Sequence, residues 1–303
     1  MMQYFFFSLF FLGLLEAVSG HGFVHSVVSG GVTYPGWNPF SDPYNTPPPR
    51  VVRKIQSDGP VPDTDPNIAC GIGGDTGTTA MATAAAGSSI SFQWAYKMFS
   101  RPDMSFILTR WTDHQGPIST YMTSCNGDCS TFSANSARWF KIDAAGYDPN
   151  TKQWAAAVLI SNGMSWSSVI PAGLAPGQYV PRSTRNYRVA LKPTPILPEL
   201  HITVTGTGTG VPSDSELVSM QTLYQGVTFP DIYGSSVSFT IPGPPVARFD
   251  GSSPPPPPSP TIPPPNAPSG GPATSTSAPA PGPSVPVQTC QLGSRKLIRR
   301  KSG

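Results

Sequence analysis

The chain has 303 residues, enough for one large or two small domains, and 15 of its 38 prolines lie beyond residue 250. Its formal net charge is only +3, and charged residues make up 12% of the sequence. Five cations at the extreme end exceed that sum, so without them the charge is −2 (Arg295, Lys296, Arg299, Arg300 and Lys301). The sequence therefore offers no basic face for nucleic acid, and we expect no nucleic-acid partner.

Residues 1–20 predict a secretory signal peptide. They contain an apolar run over residues 5–15 and end in Val18-Ser19-Gly20, a small-residue cleavage pattern, although no positive charge precedes the run. A single-pass membrane anchor is the alternative, but the run is too short to span a bilayer and Glu16 interrupts it. Cleavage after Gly20 makes His21 the first residue, where an α-amine and an imidazole nitrogen can chelate one ion such as copper(II).

Apolar and polar residues alternate in several short segments, which predicts β-strands separated by turns. These segments are residues 23–28, 91–97, 118–122, 138–142, 154–160, 201–205 and 236–241. Residues 34–67 predict a long loop, and residues 80–86 suit a short helix or a loop equally well. The pattern predicts an all-β fold, an immunoglobulin- or fibronectin-III-like β-sandwich with long loops over residues 21–248. Residues 249–303 predict a disordered Pro/Ser/Thr-rich linker with a basic C-terminal tail.

The sequence has four cysteines, of which two flank a tight turn. Cys125 and Cys129 enclose Asn126-Gly127, so in an oxidising compartment we predict a disulfide between them. A zinc-binding pair is the competing interpretation, but no second Cys/His pair completes a tetrahedral site. Cys70 and Cys290 are left without a predicted partner.

The four histidines are His21, His25, His114 and His201. His114 lies in an Asp-His-Gln-Gly-Pro turn directly before the predicted strand 118–122, a position from which its ring can face a loop-lined surface. On its own, such a histidine is more often a surface or capping residue. We expect His25 to be a packed or hydrogen-bonded strand residue, and His201 to be structural.

Several motifs occur together in a fixed order along the chain. They are His21-Gly22 and the segments 67–70, 113–117, 138–142, 174–179, 232–236 and 239–244. In this order the chain resembles the fungal lytic polysaccharide monooxygenases of auxiliary activity family 9, formerly glycoside hydrolase family 61. The resemblance covers most of residues 21–248. It is the ordered set that is specific, since no single motif would be.

The resemblance implies one copper ion per domain, held by the α-amine and Nδ1 of His21 and by Nε2 of His114. These two residues would be both the catalytic and the metal-binding residues. With O2 or H2O2 and an external electron donor, a small reductant or a redox enzyme, such a centre cleaves a β-1,4-glucan such as cellulose at C1 and/or C4. The resemblance also implies an extracellular monomer that docks on a polysaccharide surface without a membrane partner.

Surface aromatic residues are the expected contacts to sugar rings. Tyr233 matches the C-terminal surface aromatic of the family and is a candidate for stacking, although a packed loop tyrosine is an equal alternative. Trp37 and Tyr34, in the first long loop, are weaker candidates for substrate binding.

Two segments depart from the family pattern. Residues 98–110 look like an insertion just ahead of His114. Residues 180–200 lack the inner-shell histidine, and Lys192 stands about where it would be. They also lack the Gln-x-Tyr element and the cysteine that would pair with Cys70. A reading-frame or splice error and a divergent allele both explain this, and we assign no axial copper ligand.

The departures leave a second functional class open, a catalytically impaired or non-catalytic secreted protein that binds polysaccharide or copper. A hydrolytic glycosidase ranks lowest. Hydrolysis needs two carboxyl groups on either side of the glycosidic bond, and no motif pairs any two of the 16 acidic residues.

Overall fold

The computed structural model describes residues 22–59, 61–96, 115–185, 188–189, 192–193, 199–228, 230 and 237–249. The chain divides into two units, Met1–Ile262 and Pro263–Gly303, and every described residue lies in the first. The predicted signal peptide and most of the proline-rich tail lie outside the described residues.

Fourteen β-strands and one α-helix are described. In chain order they are β1 (Gly22–Ser29), β2 (Val32–Pro35), β3 (Ala82–Ala85), β4 (Ser89–Tyr96), β5 (Ile118–Ser124), β6 (Arg138–Ala145), β7 (Tyr147–Asp148), β8 (Gln153–Trp154), α1 (Ala155–Ser161), β9 (Ser165–Val169), β10 (Gly177–Arg185), β11 (Arg188–Val189), β12 (Lys192–Pro193), β13 (Ile202–Thr205) and β14 (Leu217–Ser219). Three 3-10 turns lie at Asp42–Tyr44, Cys129–Thr131 and Asp214–Glu216.

The strands form two main sheets. One has four strands in the order β2-β1-β4-β9, and the other has six in the order β14-β6-β5-β10-β13-β3. All pairings are antiparallel except that of β13 with β3. Alternate side chains of both sheets meet in one apolar core, as in a β-sandwich. The predicted all-β sandwich is confirmed.

The six-stranded sheet carries apolar side chains on its second face as well. Ile68 from the long loop 46–80, which we call the loop layer, packs there with Tyr121, Trp139 and Val180 from the strands, and all four are buried. The long loop 46–80 thus covers a sheet face that would otherwise be exposed to water. Burial of each large side chain contributes about 1.5–3 kcal/mol, so this loop layer is part of the folded core.

The prediction of strands from alternating apolar and polar residues was wrong in two places. The segment predicted as a strand at 154–160 is mostly α1, because Ala155, Ala156 and Leu159 lie on one buried helical face and alanine favours helix. Residues 237–241, the described part of the predicted strand 236–241, are irregular. Residues 80–86, predicted as helix or loop, contain β3, which pairs in parallel with β13.

A β-bulge breaks the alternation in β1. Its register with β4 shifts between Val24 and Ser26, and the residue between them, His25, is exposed while Phe23 and Val24 are buried. His25 was expected to be a packed or hydrogen-bonded strand residue. It lies in β1 and its carbonyl accepts from Gly36 N at 2.7 Å, but its side chain is not packed, because a bulge turns the extra residue out of the ladder. His201 is buried and accepts a hydrogen bond from Arg53 Nε at 2.8 Å, so the structural role expected for it is confirmed.

The predicted disulfide between Cys125 and Cys129 is present. The turn that it closes has left-handed backbone angles at Asn126 (φ 48°) and Gly127 (φ 146°), which suits these two residue types. Cys70 is the free cysteine among the described residues, and it is buried. Cys290 lies outside them.

Lys141 on β6 is buried in the second apolar layer. Its ammonium donates to the Pro242 carbonyl at 2.9 Å and lies 5.6 Å from the centre of the Tyr121 ring. The Tyr121 hydroxyl donates to the same carbonyl at 3.0 Å. These bonds, with the bond from Ala247 N to Lys141 O at 2.7 Å, tie the segment 237–249 onto β6.

Lys141 provides a pH-dependent test of this packing. Burial lowers its pKa from 10.5 to about 8, so between these values the folded chain binds fewer protons than the unfolded chain, and stability rises with pH. Relative to a Lys141→Met variant, the free energy of unfolding should increase by on the order of 1–3 kcal/mol from pH 8 to 10.5. Denaturant titrations of both proteins would measure this, and a difference that stays constant with pH would contradict it.

Candidate functional site

The residues that flank the two predicted copper ligands lie at one end of the sandwich. Gly22 begins β1 and pairs with Tyr96 at the end of β4, while Gln115 and Gly116 lead into β5. Helix α1 links the two places, since Ala156 N donates to Gly116 O at 3.1 Å. Beyond the helix, Trp94 N donates to Met164 O at 2.9 Å.

The length of α1 supports this placement. A helix of 7 residues is roughly 10 Å long, which is about the distance between two packed sheets. Trp94 pairs with Val24, two residues from Gly22, so α1 joins the entry to β5 to the start of β1. We call this end of the domain, defined by Gly22, Tyr96 and Gln115, the N-terminal end.

His21, His114 and Tyr233 lie outside the described residues, so their roles stay predictions. The insertion predicted at 98–110 lies outside them as well. Within the described ranges, no group of three or more His, Cys, Asp or Glu side chains could hold a metal ion.

The loop 36–45 packs against β1 at the N-terminal end. Gly36 N donates to His25 O at 2.7 Å, and the Phe40 ring meets the Phe23 ring edge-on at 6.0 Å between centroids. The buried Asp42 carboxylate accepts from Asn38 N at 3.1 Å and from Arg50 Nε at 3.3 Å. The loop is therefore held in one conformation beside Phe23, two residues after His21.

Tyr44 is the exposed aromatic residue of this loop. It is 84% exposed at the end of the 3-10 turn Asp42–Tyr44, whereas Tyr34 is half-buried against the core. Trp37 is also half-buried, and its indole nitrogen donates to Ile55 O at 3.0 Å. The sequence suggested Tyr34 and Trp37 as sugar contacts and missed Tyr44, because ring exposure is set by the packing of Phe40 and Asp42.

A polar network joins the two sheets. Asp143 on β6 accepts hydrogen bonds from Trp166 Nε1 at 2.9 Å and from Ser168 Oγ at 2.8 Å, both on β9. Thr120 Oγ1 lies 2.8 Å from Ser168 Oγ and extends the network to β5. Burial raises the pKa of Asp143, and these hydrogen bonds oppose the increase. The network fixes the register of the sheets close to the entry of β5.

A second network holds the loop layer onto the six-stranded sheet. Arg53, 1% exposed, donates to His201 Nε2 at 2.8 Å, to Asp75 O at 3.2 Å and to Phe132 O at 2.8 Å. Its Nη1 also lies 3.4 Å from Glu199 Oε2. Burial, and then the Arg53 charge, lower the pKa of His201 to about 4, so its ring is neutral and can accept the bond from Arg53.

The segment that departs from the family pattern is described only in part. Residues 181–185 complete β10, and β11 and β12 form a short separate pair. Lys192 lies in β12, and its side chain is outside the described residues. Glu199 is buried beside Cys70, where burial and then the Glu199 carboxylate raise the pKa of the thiol.

Comparison with known proteins gives a family for this geometry. The family model described as Auxiliary Activity family 9 (formerly GH61) matches residues 21–238. The chain belongs to auxiliary activity family 9.

Relatives of this chain carry the same family name. It is 37% identical over 256 residues to AA9 family lytic polysaccharide monooxygenase A of Gloeophyllum trabeum, covering 78% of this chain and 74% of that protein. It is 35% identical over 255 residues to AA9 family lytic polysaccharide monooxygenase F of Botryotinia fuckeliana, covering 78% and 95%.

Solved structures agree with this assignment. The extended catalytic domain of H. jecorina LPMO9A matches with a TM-score of 0.64 and 32% identity, over 75% of this chain and 90% of that one. Cel61B of Hypocrea jecorina, a glycoside hydrolase family 61 member, matches with a TM-score of 0.63 and 30% identity, over 75% and 100%.

The family assignment places the chain among the lytic polysaccharide monooxygenases, oxidoreductases that cleave polysaccharides oxidatively. No helix in the described part of the chain is both long and apolar enough to cross a membrane.

Proposed function

We propose that this chain is a secreted copper-dependent monooxygenase that cleaves β-1,4-glucan chains such as cellulose at C1 and/or C4. His21 and His114 are the proposed metal-binding and catalytic residues, and O2 or H2O2 with an external electron donor are the co-substrates. The observation that carries the proposal is the position of Gly22 and Gln115, the neighbours of these histidines, at one end of the sandwich.

The proposed donor set fits copper. An α-amine and two imidazoles supply three nitrogen donors, which copper(II) binds well. Removal of residues 1–20 is needed to free the amine, and this agrees with the proposed signal peptide. Bound copper would supply the redox chemistry that oxidises a C–H bond of the sugar.

The contribution of the protein is positioning. Helix α1 and the Asp143 network hold the entry of β5 against the sheet that contains β1, so that the two histidines would approach one ion from different sheets. Buried hydrogen bonds of this kind fix the geometry of metal-binding residues. A rigid N-terminal end therefore limits the reorganisation needed when copper binds.

Tyr44 extends the proposed docking surface beyond Trp37, Tyr34 and Tyr233. Its exposed ring lies on a loop fixed against β1, where a sugar ring could stack on it. Tyr44→Ala should weaken binding to cellulose by about fivefold, corresponding to a loss of about 1 kcal/mol. Pull-down isotherms would measure this change.

Val211→Ala is the matched control for Tyr44→Ala. Val211 is 70% exposed and follows Gly210, which bonds to Gly173 near the start of β10, away from the N-terminal end. Equal weakening in both variants, or none in Tyr44→Ala, would remove Tyr44 from the docking surface.

A catalytically impaired or non-catalytic polysaccharide- or copper-binding protein is the alternative. It is favoured by the buried charges of residues 182 and 199, which occupy the segment that lacks the inner-shell histidine and the Gln-x-Tyr element. Such a protein would bind copper and cellulose without releasing oxidised products.

The experiment that separates the two is product analysis. Copper-loaded protein with a free His21 amine, incubated with cellulose and a reductant, should release oxidised cello-oligosaccharides detectable by mass spectrometry. His114→Ala should abolish the products, and His25→Ala, which removes an exposed histidine four residues from His21, should leave them unchanged. Only non-oxidised sugars, or no soluble sugar from folded copper-loaded protein, would overturn the monooxygenase.

A further inference from the structure

Several residues of β10 do not suit the places that they occupy. β10 pairs with β13 over residues 177–179 and with β5 from Tyr179 onward, and Pro181 lies in it, buried between Met122 of β5 and Leu200, whose N donates to Pro181 O at 2.9 Å. Proline cannot donate to a ladder and is confined to edges, strand ends and bulges. The next residue, Arg182, is fully buried, and its Nε and Nη1 have no hydrogen-bond partner.

Arg53 provides an internal comparison for Arg182. Both guanidinium groups are buried on the same side of the six-stranded sheet, but each nitrogen of Arg53 has an acceptor within hydrogen-bond distance. Arg182 makes one such bond, from Nη2 to Ile68 O at 3.0 Å. Buried donors in native proteins are nearly always paired, so Arg182, with two unpaired guanidinium nitrogens, is poorly accommodated at this position.

The same conflict recurs at the end of the segment. Glu199 is 1% exposed, and neither carboxylate oxygen accepts a hydrogen bond of normal geometry, although Arg53 lies 3.4 Å away. Its buried neighbour Cys70 is a free thiol. The hydroxyls of Ser183 and Thr184 are also buried without a partner. Residues 177–180 and 202–205, on either side, show no such conflict and pair in regular register.

We infer that residues 181–200 come from a reading frame displaced by one nucleotide from the frame that encodes the native segment of this fold. The genetic code makes the inference specific. Read from its second base onward, the segment must encode Ile or Thr at Asn186 and again at Tyr187, whichever synonymous codons are used. It must also encode Asn or Ser at Glu199, and no position forces a stop codon.

One forced change removes a conflict described above, and two changes that the frame permits remove two more. Isoleucine and threonine are β-branched and favour strands. The change at Glu199 removes the buried carboxylate. The same frame permits Pro181→Leu and Arg182→Val, which restore the ladder donor and an apolar side chain. It also permits Leu200→Cys. Residue 200 directly follows Glu199, whose side chain lies beside Cys70, so the new thiol is one residue from that contact.

The third reading frame, displaced by two nucleotides, does not remove these conflicts. Read from the third base, the junction of Arg185 with Asn186 must encode Lys, Gln, Glu or a stop codon. The junction of Leu191 with Lys192 is restricted to the same four. Of the two alternative frames, only the one displaced by one nucleotide can thus replace Pro181, Arg182 and Glu199 without forcing Lys, Gln, Glu or a stop codon at these two junctions.

A consequence for the copper centre rests on the proposed function, whereas the frame inference does not. The displaced frame permits Ala190→His, Pro195→Gln and Leu197→Tyr. These are the inner-shell histidine and the Gln-x-Tyr element that the family resemblance implies for this stretch. The non-catalytic alternative then loses the feature that favours it.

The test is to sequence the transcript and the peptides of the secreted protein across residues 181–200. We expect Ile or Thr in place of both Asn186 and Tyr187, and Asn or Ser in place of Glu199. Peptides and transcript that contain Asn186-Tyr187 and Glu199 would overturn the inference.

A second measurement uses recombinant protein. Two chains, one as printed and one with the displaced-frame residues over 181–200, are compared by thermal unfolding. The displaced-frame chain should unfold at a temperature several degrees higher. An equal or lower unfolding temperature would show that the fold is not built for that frame. Neither measurement uses copper or activity, so failure here is distinct from failure of the proposed function.

Discussion

A single methionine added ahead of His21 is expected to weaken copper(II) binding by at least about 100-fold, the upper end of the loss caused by removing only the supporting groups of a metal site. The extra residue converts the α-amine of His21 into an amide, which removes one of three proposed nitrogen donors. Isothermal titration of the processed and extended proteins would measure the two dissociation constants.

The controls separate loss of a donor from loss of the fold. His114→Ala removes the other proposed metal-binding residue and should weaken binding to a similar degree, while His25→Ala should leave it unchanged. His25 is the suitable control because it is exposed on β1 beside the proposed centre. Unchanged affinity in the extended protein would refute a centre built on the terminal amine.

Replacing Arg53 with methionine is expected to lower the free energy of unfolding by about 3–5 kcal/mol, the usual cost of removing one partner from a buried ion pair. In the chain that carries Glu199, the change leaves this carboxylate without the cation that lies 3.4 Å away, and it also leaves the Phe132 and Asp75 carbonyls unpaired. Urea unfolding followed by tryptophan fluorescence would measure the loss.

Arg50→Met is the matched control for this prediction. Arg50 also pairs with a carboxylate, Asp42 at 3.3 Å, but its side chain is 20% exposed, so its removal should cost only about 0.5–1 kcal/mol. Equal losses in the two variants would show that Arg53 is no more important than an ordinary loop arginine.

The sandwich could be predicted from the sequence because its longer strands have one face in the core. Parts of β1, β4 and β6 alternate between apolar and polar residues clearly enough to be recognised, whereas β5 is buried on both faces. The helix α1 was missed because a short run of alanine and branched residues fits both the helical period of about 3.6 residues and the strand period of about 2. β3 consists of small residues and is a strand because β13 lies beside it, a tertiary effect that no local pattern contains.

The proposed copper centre comes from local motifs, and it stays a prediction because both histidines lie outside the described residues. The terminal His21-Gly22 and the turn around His114 are short patterns that point to a copper centre. By contrast, the Arg53 network joins residues 148 positions apart, and nothing in either local sequence predicts the contact. The exposure of Tyr44 depends in the same way on how Phe40 meets Phe23.

Electron paramagnetic resonance of the copper(II)-loaded, processed protein tests the central claim most directly. Three nitrogen donors, the His21 amine and the imidazoles of His21 and His114, should each contribute hyperfine coupling, and His114→Ala should remove one of them. A spectrum without bound nitrogen, or one unchanged by His114→Ala, would contradict a copper centre formed by these two residues.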